Sequence, residues 1–423
     1  MELYEVGKNE VSIVINEENN QQVSKWCIVS MASIPLVMTL GNSMLIPVLP
    51  IFEDKVGITS FQSSMVITSY SIAAIFLIPV AGYLSDRYGR KIVILPSLIL
   101  AMIGGIIAGM ASWRMADPFS WIIVGRILQG IGAAGAAPII LPLVGDLYKD
   151  DDEKTSSCLG IVETSNTFGK VLSPILGALF ASFLWFLPFF SISFFSLISI
   201  VLVFFFIKVP KQKEEPPRFR TFYEKTKTIF KNDGKWLYTV FFIGIHLMLV
   251  LFGVLFFLSD IFEKQHSLYD VKKGFVLAIP LFCLCVASYI TGRTIKGNLK
   301  IMKSVIMLSL IISSVSVIFV GYTSNNLILL LIITSLLGTA IGAILPTLDA
   351  MITEGIEKEE RGTITSFYSS CRFIGVALGP PVISMTMNHF LNLTYMVMGI
   401  IGVFLLLLVW KCIKTDNKEQ SVQ

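Results

Sequence analysis

Four ionisable residues fall inside long apolar stretches of the chain: Arg126, Glu163, Lys170 and Arg372. Each charge at the centre of hydrocarbon costs about 2.5–3.5 kcal/mol on insertion scales. Four left unpaired would cost about 10 kcal/mol, as much as the whole stability of a typical protein. They must therefore face one another or a watery cavity. Glu163 and Lys170 stand two helical turns apart and share one helix face. Glu163 is read as the one carboxylate well inside an apolar stretch, which makes it the first candidate for carrying a proton. A static ion pair with Lys170 or Arg126 is the alternative. Arg126 does not deprotonate at ordinary pH, so its expected part is to hold a neighbouring carboxylate ionised. His246 is the second titratable candidate, because an imidazole titrates at about pH 6.5; the alternative is a satisfied core histidine. Lys170, Arg372, Asn42 and Asn166 are candidate substrate contacts, with helix–helix hydrogen bonding the alternative for the two asparagines. Three cations against Glu163 leave a positive surplus of about two. That sign disfavours lipophilic cations and suits anionic, zwitterionic or polar-aromatic compounds.

These groups need membrane helices to hold them. Hydrophobic residues make up 54% of the 423 and charged residues 15%, against about 25% charged in soluble chains, and the mean hydropathy is +0.75. A soluble fold so short of charge would lack polar surface, whereas about 20 apolar residues suffice to cross a bilayer as a helix. Twelve spans are expected, at 26–51, 62–84, 91–113, 119–145, 156–183, 185–207, 236–258, 273–292, 301–321, 326–348, 363–387 and 391–413. Residues 1–25 are polar and acidic and do not read as a secretory signal. With both termini cytoplasmic, about 25 of the 33 Lys and Arg fall on the cytoplasmic side and about 5 outside. That bias selects termini-in.

The chain divides into a cytoplasmic tail (1–25), a six-helix bundle (26–207), a basic linker (208–235), a second six-helix bundle (236–413) and a short tail (414–423). Phe219, Phe222, Tyr223, Thr226, Ile229 and Phe230 recur between lysines of the linker, a pattern that fits a cationic amphipathic helix on the inner leaflet or a solvated linker. One displacement relates the two bundles. It lays Gly169-Lys-Val-Leu-Ser173-Pro174 onto Gly375-Val-Ala-Leu-Gly379-Pro380, and Tyr83–Arg87 onto Tyr289–Arg293. Duplicated halves of this kind rock about a central site.

Three motifs complete the pattern. Gly82-Tyr-Leu-Ser-Asp86-Arg87-Tyr-Gly89-Arg90-Lys91 places two glycines around a charge cluster between spans two and three. Arg126-Ile-Leu-Gln129-Gly130-Ile-Gly132 lies in span four, and Leu40-Gly41 through Pro47-Val-Leu-Pro50 in span one. In span five, Gly169, Ser173, Gly177 and Ala178 form a ribbon of small side chains beside Pro174, which suits close packing and a bend. Together these motifs resemble the major facilitator superfamily, and the span-one and span-five patterns resemble its twelve-span drug:proton antiporters. Ser173 and Ala178 stand where the antiporter motif has glycine, so the likeness there carries packing more than direction of transport.

The resemblance implies an all-α membrane fold of two pseudo-symmetric six-helix bundles, working as a monomer. It implies a latch role for Asp86, set among Gly82, Arg87, Gly89 and Arg90, onto span eleven of the other half. It also implies a part for Arg126 in proton transfer. Gly169, Ser173, Pro174 and Gly177, with Gly375, Gly379 and Pro380, would be the packing and hinge positions. The expected activity is proton-driven export of small amphipathic molecules by alternating access. Some siderophore exporters of Gram-positive bacteria belong to this branch, so a catecholate siderophore or acidic antibiotic is the leading substrate. Uptake of a nutrient by symport and lipid flipping are the alternatives on the same fold. His246, His266 and His389 are scattered, the six cysteines form no zinc pattern, and no glycine-rich phosphate loop with lysine is present. An enzyme, a metal or cofactor requirement, nucleic-acid binding and ATP-driven pumping are therefore not expected.

Overall fold

The computed structural model describes residues 25–148, 152–207, 234–295, 298–356 and 358–413, and among them it is helical throughout, without strands. The linker and tails, with the amphipathic helix expected around Phe219–Phe230, lie outside the described residues. In lipid every backbone polar group must be satisfied within the chain, which leaves helices as the economical solution for apolar stretches of this length.

Span one is broken. It runs as a helix over Lys25–Ser43, a tight turn over Ile46–Val48 and a second helix over Leu49–Val56. Spans two and three are Ser60–Tyr88 and Arg90–Arg114, joined at Gly89, whose φ of 102° is one that a side chain would strain. Span four comprises Phe119–Ala136 and Ile140–Leu147, span five Asp152–Phe183 and span six Leu187–Phe206. The second half repeats the order with Gly234–Lys264, Asp270–Thr294, Leu299–Val320, Leu327–Gly355, Lys358–Thr386 and Leu391–Cys412 as spans seven to twelve. Local signals mark the starts. A Thr59–Gln62 capping box opens span two, and the Asn298 and Asn326 side chains accept from the first amides of spans nine and ten.

Several helices overrun the expected bounds. Span ten reaches Gly355 instead of 348, and span seven reaches Lys264 instead of 258. Hydropathy ends a span at its first carboxylate, but a helix continues through polar surroundings as long as its backbone bonds do.

Pseudo-symmetry appears in detail. Lys91, at the start of span three, donates to the Phe204 and Ile207 carbonyls at the end of span six. Lys303, at the start of span nine, donates to the Trp410 and Ile413 carbonyls at the end of span twelve. Span five packs on span one through Gly169, where an added Cβ would meet Thr39 Cβ at 3.2 Å, and through Gly177, where it would overlap the Met44 carbonyl. Span eleven packs on span seven in the same way: Gly375 lies on the Ile245 carbonyl, and a Cβ at Gly379 would stand 2.6 Å from Leu249 O. Small residues at these positions let backbones approach within reach of dispersion and Cα–H contacts, which drive helix association in lipid.

Spans one and seven form the axis, with 83% of their most apolar stretch buried against 33% for span twelve. On the periphery Phe76, Ile328 and Trp410 are 72%, 71% and 69% exposed, as lipid-facing side chains should be. Ten of the described helical spans are long and apolar enough to cross a membrane; the two that fall short are five and eleven. These two carry Glu163, Lys170 and Arg372.

Residues 25 and 413 lie on one face, here the terminal face. At the opposite face the halves are closed on each other: Ser259 Oγ donates to the Ile46 carbonyl at 2.8 Å, Lys264 Nζ stands 3.5 Å from Glu53 Oε2, and Gly274 lies against the Pro174 carbonyl. Spans two and eleven meet along their length, with Thr68 Oγ1 donating to the Ala377 carbonyl at 2.8 Å and Gly82 facing Ser366.

Candidate functional site

Both halves contribute to one charged cluster at mid-depth. Span five supplies Glu163 and Lys170; span ten supplies Asp349; span eleven supplies Tyr368 and Arg372. Arg372 Nη1 lies 3.6 Å from Asp349 Oδ1, and its guanidinium carbon 5.6 Å from the centre of the Tyr368 ring. Lys170 lies within electrostatic range of Arg372, Glu163 and Asp349. Asp349 retains 37% of its side-chain exposure and Arg372 19%. Asp349 stands near the end of span ten at the terminal face, and the halves are closed on each other at the opposite face.

Glu163 is tied to its own helix. Asn166 Nδ2 donates to its two carboxylate oxygens at 3.2 and 3.4 Å, and Asn166 Oδ1 accepts from Thr39 Oγ1 of span one at 2.6 Å. Asn166 is thus a link between span one and Glu163. Tyr368 is 1% exposed, its ring 6.0 Å from that of Phe241 and packed on Gly244, where a Cβ would come within 2.8 Å. Its hydroxyl has no hydrogen-bond partner, although it lies in range of Asp349, Arg372 and Glu163.

Three sequence expectations are corrected here. First, Glu163 is not alone: Asp349 sits inside the helix of span ten, and the early truncation of that span at 348 hid it. The visible signal was a helical pattern continuing past Pro346. Second, Arg126 is not paired with a carboxylate. It is fully buried, and its Nε donates to the Val66 carbonyl at 2.7 Å while Nη1 donates to the Gly41 carbonyl at 2.8 Å and to Gln129 Oε1 at 2.6 Å. The Tyr70 ring covers it, centred 4.6 Å away, and no described carboxylate lies within ion-pair distance. In a regular helix the Gly41 carbonyl would accept from the amide four residues on, and it is here, where span one breaks, that the guanidinium takes it. Third, the positive surplus disappears. With Arg126 sealed elsewhere and Asp349 added, two acids face two bases.

The loop between spans two and three also differs from expectation. Asp86 pairs with Arg90, one turn on, rather than with a described residue of span eleven. Arg90 in turn reaches Asp146 Oδ2 of span four at 3.0 Å and Ser85 Oγ at 2.7 Å. The contact with span eleven is made by Gly82, not by the carboxylate. Asp146, like Asp349, was hidden at the end of a span. Arg87 is exposed and lies beside Tyr83 and Tyr88.

The remaining candidates are dispersed. His246 is buried where spans seven, nine and twelve meet, beside Ser314 and Gly402, away from the cluster. Asn42 is buried with its Oδ1 unpartnered, next to the Gly41 carbonyl that Arg126 holds. Ser173 Oγ donates to the Gly169 carbonyl at 2.7 Å within its own helix, and span five continues helically through Pro174. Among the described residues no group of three or more His, Cys, Asp or Glu could hold a metal.

Broken span one, the span-five ribbon on it and the loop glycines are the features that a family model would match, and one does. The Major Facilitator Superfamily model covers residues 31–330 and 272–423. The chain belongs to this superfamily. It is 50% identical over 394 residues to the Bacillibactin exporter of Bacillus subtilis (strain 168), covering 93% of this chain and 98% of that one. It is 25% identical over 394 residues to Multidrug resistance protein 2 of the same organism, covering 90% and 94%. Among solved structures it superposes on the human organic anion transporter MFSD10 with a TM-score of 0.71 at 16% identity, over 91% and 99% of the two chains. The superfamily fold of two six-helix bundles, and a multi-pass transporter, follow from these matches.

Proposed function

We propose that this chain is a proton-coupled secondary exporter of small polar-aromatic molecules, a catecholate siderophore or a related antibiotic, acting by alternating access. One observation carries the reading: a partly exposed cluster of two carboxylates, Lys170, Arg372 and a buried tyrosine, assembled from both halves, with the halves closed on each other at the face away from the termini. Rocking of the halves about such a cluster would expose it to each face in turn. The 50% identity to the B. subtilis Bacillibactin exporter supports the siderophore class.

In this reading Lys170 and Arg372 engage the substrate, while Glu163, relayed to span one through Asn166, binds and releases the proton. Arg126 serves coupling by holding the break in span one, with Asn42 beside it. His246 has a secondary part at the span seven, nine and twelve junction. Asp86, Arg87 and Arg90, with the loop glycines Gly82 and Gly89, steady spans two to four at the terminal face. The halves flex along Gly169, Ser173, Pro174 and Gly177 and along Gly375, Gly379 and Pro380. The protein sits in a bacterial plasma membrane with both termini cytoplasmic, acts as a monomer, and draws on the proton gradient without a cofactor.

The test is transport in proteoliposomes under imposed pH gradients, with anionic, cationic and uncharged aromatic probes. An acidic lumen should drive a catechol compound inward as protons leave. Uptake driven instead by an alkaline lumen would mean cotransport, and the export reading would fall.

A further inference from the structure

The neutral charge of the cluster constrains the form in which the substrate travels. Glu163 and Asp349 are offset by Lys170 and Arg372, so the charges of the cluster balance without substrate. An ionised carboxylate is an acceptor only, with about four lone-pair sites. Glu163 uses its oxygens on Asn166 and, at 3.5 Å, on Thr167, while Asp349 is held by a single 3.6 Å approach of Arg372. Much acceptor capacity is left over, beside a buried tyrosine hydroxyl with no partner. The N–H groups of Lys170 and Arg372 likewise have room for acceptors, so hydrogen-bonding capacity alone admits either a hydroxyl donor or an anion.

The direction of coupling decides between the two. Suppose the substrate were an anion seated on Arg372 and Lys170. It would displace Asp349 and Glu163 from their cations, and those carboxylates would be stabilised by taking protons. Anion and proton would then bind together, which is the linkage of cotransport. A substrate that donates hydroxyl hydrogens to the carboxylates needs them ionised. Its binding and their protonation exclude each other, which is the linkage exchange requires.

We infer that the substrate is carried as an uncharged aromatic hydroxyl donor, its hydroxyls given to Glu163 and Asp349, and that Asp349 is a second proton-exchanging carboxylate beside Glu163. This rests on the exchange reading above. A phenolic hydroxyl ionises near pH 10, so such a donor persists in the cytoplasm. Tyr368, its ring covered by Phe241 and Arg372, adds one hydroxyl without a partner to the same cluster. Lys170 and Arg372, besides their contact with the substrate, favour the charged form of these acceptors.

The experiment uses full-length protein in weakly buffered detergent solution and three probes: an uncharged catechol amide, its dimethyl ether, and the dimethoxybenzoate anion of the same ring. At a pH low enough for the free site to be partly protonated, adding the catechol amide should release protons, and its affinity should fall by up to about tenfold per pH unit on further acidification for each carboxylate titrated. The ether should not bind. Asp349→Asn and Glu163→Gln should each cut the proton release, in samples whose thermal midpoint certifies the fold, and Tyr368→Phe should weaken the catechol amide several-fold without altering the release per molecule bound. Proton uptake on binding, preference for the benzoate anion, or undiminished release in both carboxylate variants would each overturn the inference. The vesicle assay separates the two failures. Exchange with protons but preference for the anion removes only this inference, whereas movement along with protons removes the exchange reading itself.

Discussion

Arg126 and Arg372 are both arginines at membrane depth, and the protein accommodates them in opposite ways. Arg126 is dry, held by two backbone carbonyls and a glutamine with its Nη2 left without a partner, and roofed by an aromatic ring. Arg372 keeps 19% of its side chain exposed and leans on a carboxylate that is itself 37% exposed. A charge locked to main-chain carbonyls cannot change partners without unfolding its neighbours. A charge loosely paired at 3.6 Å in a wetted cluster can. Depth in the membrane therefore marks both structural and transporting residues, and the identity of the partner tells them apart.

The sharpest way to break this comparison is substitution at the two arginines. Arg126→Ala should lose folded protein outright, since each hydrogen bond from a charged group contributes about 1.5–3 kcal/mol and three are lost in a sealed site; size-exclusion yield and thermal midpoint report it. Arg126→Lys should rescue poorly, because one ammonium cannot reproduce the planar fork. Arg372→Ala should leave the fold standing and cut exchange by about tenfold or more, the equivalent of one charge-assisted bond. Equal losses of fold in both variants would erase the distinction.

A second test concerns packing. Gly177→Val places side-chain atoms on the Met44 carbonyl and should stop span five from approaching span one; overpacking of this kind costs about 1–3 kcal/mol, read as a fallen thermal midpoint with transport lost in parallel. A milder change targets the closed face. Glu53→Gln removes the attraction to Lys264 across the halves and should shift the population toward the conformer open on that side, detected as several-fold faster thiol labelling of an engineered cysteine there. The smallest effect belongs to the lysine caps. Lys91→Met and Lys303→Met each uncap helix-end carbonyls and should lower stability by about 0.3–1 kcal/mol apiece, and by like amounts if the two halves are truly equivalent.

Much of this architecture was legible in the residues. Apolar length announced the helices, and one displacement linked Gly169 to Gly375. That link is realised in the equivalent crossings of spans five on one and eleven on seven. The requirement that Glu163, Lys170 and Arg372 be sheltered follows from the cost of charge in hydrocarbon alone. Asp349 was missed because hydropathy stops at a carboxylate, while a helix does not. The partner of Arg126 was misassigned because the break in span one, which offers the Gly41 carbonyl, is invisible in a periodic pattern.

Composition and spacing thus settled that the chain crosses a bilayer, that its halves repeat, and that certain charges lie deep, because burial costs and helical periods are local properties. Which charges meet was decided by the rotation of each helix about its axis and the register of its neighbours. Those are set by close packing at Gly177 and Gly375, among residues far apart in the chain. So the same arginine could be a sealed staple at 126 or an exchangeable partner at 372, and only the assembled helices distinguish the two.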